Sequence, residues 1–304
     1  MSGIVLCSCT TTGWEICKFL SDSGIKIDQI VSVEEEMAQR LNISNYKSLA
    51  DISELYDMPI YYANEYSMNN EIDLNHFKDK KYDLMIICGW QRLVPENILD
   101  TLKIGGIGIH GSSEFLPKNR GRSPQVWSLI EGKKQFIMQY FLVNADADDG
   151  DLFHHKIYDI NYWDTIKSLY YKNSIVTKRT LLDWIPKLMS GDFRTTPQKG
   201  EPTYYPKRNP EDGKINWDDD MLSIYNFVRA QTKPYPGAFS LVENEKYYIW
   251  KCQPFDSKIE FPLSKNGEIV ETFLGGDILI KCKDGSILVT ESEGSKPSKG
   301  HCLK

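Results

Sequence analysis

The sequence has no apolar stretch approaching the roughly 18 uninterrupted residues of a membrane-spanning helix, so no membrane association is expected. Positive charge is not in excess. Lys and Arg number 36 against 42 Asp and Glu, which leaves a net charge of −6 and a pI near 5.5. A broad nucleic-acid footprint needs a basic face, so that class of partner is disfavoured, although a local basic patch stays open. Among the seven cysteines there is no Cys-x-x-Cys and no second pair at zinc spacing, and the number is odd. Buried free thiols are expected rather than disulfides, and no metal site. The dinucleotide fingerprint Gly-x-Gly-x-x-Gly is missing: the first strand-like run leads into Thr10-Thr11-Thr12-Gly13. Met1 to Leu6 lacks the basic n-region of a secretory signal, which points to a cytoplasmic protein. There is no internal repeat and no low-complexity segment.

The composition that is present is that of a globular protein. The chain has 304 residues, 41% apolar and 26% charged, a length that suits two domains. Apolar runs at Ile4–Cys9, Ile27–Val33, Met58–Tyr62, Asp83–Cys88 and Ile104–His110 alternate with helical patterns. That alternation predicts an α/β fold with a doubly wound, mostly parallel sheet. Two further strands, Gln135–Val143 and Leu152–Ile160, flank an acidic turn, and a long helix covers Trp163–Leu188. Residues 194–203 are polar and broken by Pro197, Gly200 and Pro202, which reads as a connection. Beyond it lie one helix at Asp219–Gln231 and short strands, so a second, smaller β-rich domain is expected. The division is 1–195 and 203–304. The tail from Ser292 is polar and expected to be loose.

Chemistry concentrates in two places. One is Ile107-Gly108-Ile109-His110-Gly111-Ser112, where an apolar strand ends in a polar loop with a histidine at the changeover. Sites in open α/β sheets collect past the C-terminal ends of the strands. The other is Ala145-Asp146-Ala147-Asp148-Asp149-Gly150-Asp151. With Gly150 at loop position 6 of an EF-hand, positions 1 and 3 would be Ala145 and Ala147 and position 12 Lys156, so this is not a calcium loop. A histidine suits proton transfer near neutrality, and a carboxylate orients it and balances its cation.

The run His110-Gly111-Ser112, Leu116-Pro117-Lys118 and Arg120-Gly121-Arg122-Ser123-Pro124, with the distal Asp148-Asp149-Gly150-Asp151-Leu152, resembles the active-site signature of folate-dependent formyltransferases. Further along, Asp212-Gly213-Lys214-Ile215-Asn216-Trp217, Val228-Arg229-Ala230 and Tyr235-Pro236-Gly237-Ala238-Phe239 resemble the C-terminal part shared by methionyl-tRNA formyltransferase and the sugar N-formyltransferases. The resemblance covers most of residues 80–240. It implies a formyltransferase-like Rossmann-type domain that moves a formyl group from N10-formyltetrahydrofolate to a primary amine, without a metal. The amine of a nucleotide-linked amino sugar is the favoured acceptor and methionyl-tRNA the alternative. A homodimer is compatible with it.

Carried over residue by residue, His110 and Asp148 match the catalytic His and Asp. Gly89, Trp90, Gln91, Arg92, Leu93 and Val94 match the segment that holds the pterin, with Val143 and Asp146 on its other side. Ser112, Ser113, Lys118, Arg120 and Arg122 are candidates for the acceptor, with the three basic residues suited to a phosphate or to the folate glutamate. The sequence departs from the family at two points. The catalytic Asn of Asn-x-His falls on Gly108, and the turn between Ser112 and Leu116 is longer than usual. Losing one oxyanion donor typically costs about 10²–10³ in rate. Three outcomes follow: another donor such as Ser112, Ser113, Gln125 or a backbone N–H replaces it; the reaction runs on His110 without it; or the chain is a silent binder of folate or sugar nucleotide.

Overall fold

The computed structural model describes residues 3–295 and 297–304. The chain divides into two compact units. The first comprises Met1–Arg120, Ile137–Ile157 and Lys172–Thr203; the second comprises Gly121–Phe136, Tyr158–Tyr171 and Tyr204–Lys304.

A seven-stranded sheet is built from β1 (Ile4–Cys7), β2 (Gln29–Ser32), β3 (Ile60–Tyr62), β4 (Leu84–Ile87), β5 (Gly105–Ser112), β7 (Gln135–Leu142) and β8 (Asp151–Asp159). The two-residue β6 (Arg120–Gly121) pairs instead with β9 (Tyr204–Tyr205). Strand order is β3-β2-β1-β4-β5-β7-β8. Pairing is parallel from β3 through to β5 and antiparallel between β5 and β7. The central strands are unbroken apolar runs, Ile-Val-Leu-Cys in β1 and Leu-Met-Ile-Ile in β4, because helices cover both faces of a parallel sheet. The helices are α1 (Thr11–Asp22), α2 (Glu35–Arg40), α3 (Ala50–Leu55), α4 (Glu71–Lys80) and α5 (Glu96–Leu99), with α7 (Ile166–Ser190) after β8. Asn70 caps α4 by accepting from the Asp73 N–H, and Lys81 closes it in a left-handed conformation. Val5, Cys7, Val31, Phe77, Met85 and Trp90 lie in one buried cluster. Sheet order reverses at β1/β4, so the open crevice lies past the C-terminal ends of β1, β4 and β5.

The second unit carries α6 (Pro124–Ile130), α8 (Met221–Gln231) and a five-stranded antiparallel sheet. Its strands are β10 (Ala238–Val242), β11 (Glu245–Pro254), β12 (Ile269–Thr272), β13 (Ile278–Cys282) and β14 (Gly285–Glu293), in the order β10-β11-β14-β13-β12. Asp220 caps α8 through the Ser223 N–H at 2.8 Å. Arg229 is buried, and its guanidinium donates to the carbonyls of Asn161 and Asp164 and to the Asn226 side chain. The expected loose tail is corrected: Leu303 is 4% exposed in the core of this unit. The Leu303 N–H donates to the Gly267 carbonyl, and the Leu241 and Lys304 backbones exchange hydrogen bonds. One apolar side chain outweighs the polar composition around it. Among the described residues, no helix is long and apolar enough to cross a membrane.

Candidate active site

Residues 106, 108, 110 and 112 share one face of β5, since side chains alternate along a strand. The register opposite them is Phe141 to Gly108, Gln139 to His110 and Ile137 to Ser112. His110 is therefore held on a packed face, and its side chain is 7% exposed. Its Nε2 lies 2.9 Å from the Asn119 carbonyl. A carbonyl only accepts, so Nε2 carries the hydrogen. Nδ1 lies 3.3 Å from Oδ2 of Asp148. A neutral ring with its hydrogen on Nε2 presents a lone pair there, so a proton gained at Nδ1 is shared with the carboxylate. Asp148, 24% exposed, is the more accessible member of the pair.

The acidic turn is held by residues the sequence reading placed in a connection. Asp148 has φ +55, a left-handed backbone that costs a non-glycine residue about 1–2 kcal/mol. Gln198 Nε2 donates to the carbonyls of Asp148 at 2.8 Å and Gly150 at 2.9 Å. Its Oε1 accepts from Arg120 Nη2 at 2.7 Å, and the same Nη2 pairs with Asp149. Arg120 is thus a buried brace. The Thr203 carbonyl accepts from the Arg120 N–H, and Thr203 Oγ1 accepts from the Asn119 N–H at 2.9 Å. Thr196 and Leu152 exchange backbone bonds. Residues 196–203 are therefore part of the site. A neutral Gln and Thr among prolines and glycines carry no local signal of this.

The longer turn after Ser112 is satisfied from β7. Buried Gln139 accepts from the Leu116 N–H at 2.8 Å and donates to the Glu114 carbonyl at 3.2 Å. Ser112 is fully buried and gives its hydroxyl hydrogen to the same carbonyl. Ser113 and Lys118 are half-buried and Arg122 is exposed. Gln125 is buried in the second unit, and its Nε2 has no partner among the described residues.

Gly108 is filled from the neighbouring strand. A Cβ there would sit 2.3 Å from the Phe141 ring, and one on Gly150 would sit 1.7 Å from the Leu142 carbonyl and 2.8 Å from the same ring. Phe141 lies between two glycines and occupies the space that a side chain at 108 would need. The turn 112–116 does not use glycine's freedom at 108, where the backbone is ordinary β5 strand.

Of the segment after β4, Trp90 and Val94 enter the core and Leu93 is 54% exposed. Trp90 packs edge-on to Tyr66 at 4.8 Å, the Gln91 N–H donates to Tyr66 Oη, and Arg92 lies over the same ring. The Trp90 indole N–H is buried without a partner among the described residues. Val143 donates its N–H to the Gly106 carbonyl, and Asp146 is exposed. Burial pushes the thiol of Cys88, just past β4, up to about 12, which disfavours a thiolate there. The described residues contain no His, Cys, Asp and Glu cluster able to hold a metal.

The formyl transferase family model matches residues 8–185, and that of the formyl transferase C-terminal domain matches residues 207–302. The bifunctional polymyxin resistance protein ArnA of Wigglesworthia glossinidia brevipalpis is 29% identical over 272 residues. That alignment covers 89% of this chain and 39% of the relative, so the chain spans well under half of that protein's length. The methionyl-tRNA formyltransferase of Thermodesulfovibrio yellowstonii is 29% identical over 231 residues, covering 75% of this chain and 72% of the relative. Among solved structures, the N-formyltransferase of Helicobacter canadensis in complex with folinic acid and dTDP-3-aminofucose has a TM-score of 0.69 at 15% identity, covering 96% of this chain and 100% of that one. At that identity the likeness is one of fold. The chain belongs to the formyl transferase family.

Proposed function

We propose that this member of the family transfers the formyl group of N10-formyltetrahydrofolate to the primary amine of a nucleotide-linked amino sugar, with residues 1–195 as the catalytic domain and residues 196–203 bracing its site. The observation that carries the reading is the His110–Asp148 pair at the end of β5, buried at the imidazole and open at the carboxylate. The co-substrate supplies a formyl carbon activated on N10. Gly89, Trp90 and exposed Leu93 form one wall for a flat heteroaromatic ring in this reading. Gln91, Arg92, Val94, Val143 and Asp146 complete that pocket in this reading.

As the amine nitrogen bonds to the formyl carbon, the amine proton passes by way of the Asp148 carboxylate to His110 Nδ1, and the imidazolium stays paired with that carboxylate. The carbon–N10 bond then breaks and the proton passes to N10, giving a formamide and tetrahydrofolate. Lys118, Arg122 and Ser113 are left to meet the acceptor, while Arg120 positions the 148–150 turn. The Helicobacter canadensis complex, which holds a nucleotide-linked amino sugar beside a folate, supports this choice of acceptor, as does the net charge of −6.

The test is incubation with N10-formyltetrahydrofolate and a panel of nucleotide-linked amino sugars, with methionyl-tRNA in parallel, read by mass spectrometry. A formylated sugar supports the proposal. Formyl-methionyl-tRNA alone moves the acceptor, and folate binding without product from any amine makes the chain a silent binder. Asp148→Asn keeps the left-handed turn and is expected to lower kcat by about 10²–10⁴ with an unchanged thermal midpoint; wild-type turnover in that variant refutes the role of Asp148.

A further inference from the structure

The carboxamide missing from β5 at position 108 has a counterpart eleven residues on, at Asn119. Asn119 is fixed by its backbone on two sides: its carbonyl accepts from His110 Nε2 at 2.9 Å, and its N–H donates to Thr203 Oγ1 at 2.9 Å. Its side chain, half-buried, is held far less firmly. Nδ2 donates to Ser113 Oγ at 3.3 Å, and Oδ1 accepts from Thr203 Oγ1 at 3.4 Å. Both bonds are long against the usual 2.9–3.0 Å, so the amide can turn to a better acceptor at little cost. Two alternatives in this unit are closed, a side chain at 108 and the Ser112 hydroxyl. Phe141 fills the space above Gly108, and Ser112 has given its hydroxyl hydrogen to Glu114.

We propose that Asn119 Nδ2 donates to the oxyanion of the formyl group, replacing the donor that Gly108 cannot provide. The inference rests on the formyl-transfer reading above. When the amine nitrogen bonds to the formyl carbon, the carbonyl π electrons move to oxygen, and that oxygen accepts the Asn119 hydrogen bond. When the carbon–N10 bond breaks, the electrons return and the bond weakens. The amide loses no proton at any point. The amide turns onto the formyl oxygen as the co-substrate binds, so the donor is in place before charge develops there.

The competing explanation is conformational. Asn119 has φ +58, and Asn tolerates that region better than most residues. Asn119→Gly separates the two, since glycine takes this conformation freely and keeps both backbone bonds while removing only the amide. We expect Asn119→Gly to lower kcat by about 10²–10³ with KM for both substrates within about threefold and an unchanged thermal midpoint, and Asn119→Asp to do no better. Turnover of Asn119→Gly within about threefold of wild type overturns the assignment, as does a rise in KM at constant kcat, which would make the contact one of ground-state binding. If the wild type itself formylates no amine, the formyl-transfer reading fails, and that result is distinct because it appears in the unmutated protein.

Discussion

Gly108 is a packing residue before it is a gap in the catalytic set. A Cβ at 2.3 Å from the Phe141 ring cannot be accommodated without moving a fully packed side chain. Gly108→Ala is expected to cost about 1–3 kcal/mol in urea unfolding, and Gly108→Asn at least as much, with no gain in turnover. Combining Gly108→Asn with Phe141→Ala should recover part of the loss, because the two changes share one space and are not additive. A double variant as unstable as the sum of the singles would show that the ring is not the obstacle. The departure at position 108 was legible in the sequence as soon as His110 was aligned. Its compensation was not, because Phe141 stands in an unremarkable apolar strand 33 positions away, and only the antiparallel register places one over the other. For the same reason Asn119, between Lys118 and Arg120, gave no sign of reaching His110.

At the level of elements, periodicity located most strands and helices to within a few residues, since apolar runs and helical stripes are local properties, but it passed over the short α3 and β10. Elements defined by a distant partner escaped. The 194–203 segment has no periodicity, yet Thr196 pairs with Leu152 and Gln198 fixes the turn that carries Asp148. The tail is polar apart from Leu303, which fills the core of the second unit; Leu303→Ala is expected to cost about 2–5 kcal/mol by chemical denaturation. Strand β8 adds a pH response. Burial first, and then His155, Lys156 and Lys187, hold His154 below its ordinary 6.5. The unfolded chain takes up this proton more readily than the folded one. Stability is therefore full above 6.5 and falls as pH drops through 6.5 towards the lower folded value, by at most about 1.4 kcal/mol per pH unit. His154→Gln should flatten that fall, and parallel curves for variant and wild type between about pH 7.5 and 5.5 would remove the assignment.

For the whole molecule, composition was a sound guide to the thiols. Six of the seven cysteines are buried and Cys302 is exposed. Burial raises Cys9, and pushes Cys17 and Cys252 to about 12 and Cys282 to about 11. A thiol reagent is expected to modify Cys302 alone in the native protein, and all seven after unfolding; rapid reaction of a second thiol would show that one of the buried sites opens. The change of texture, from alternating strands and helices to short strands and turns, suggested a division at 195/203, whereas the compact units group Gly121–Phe136 and Tyr158–Tyr171 with Tyr204–Lys304. Each gathers three separate stretches of chain, and no local pattern reports such returns.

The Phe141 wedge also constrains how this protein could change over generations. A lone substitution at 108 meets the ring, and a lone truncation at 141 leaves a void between two glycines. Each single step lowers stability before the second can restore it. A chain that has settled on Gly108, Phe141 and Gly150 is therefore separated by an unfavourable intermediate from one with a side-chain donor on β5, and selection on turnover acts most directly on the loop that bears Asn119.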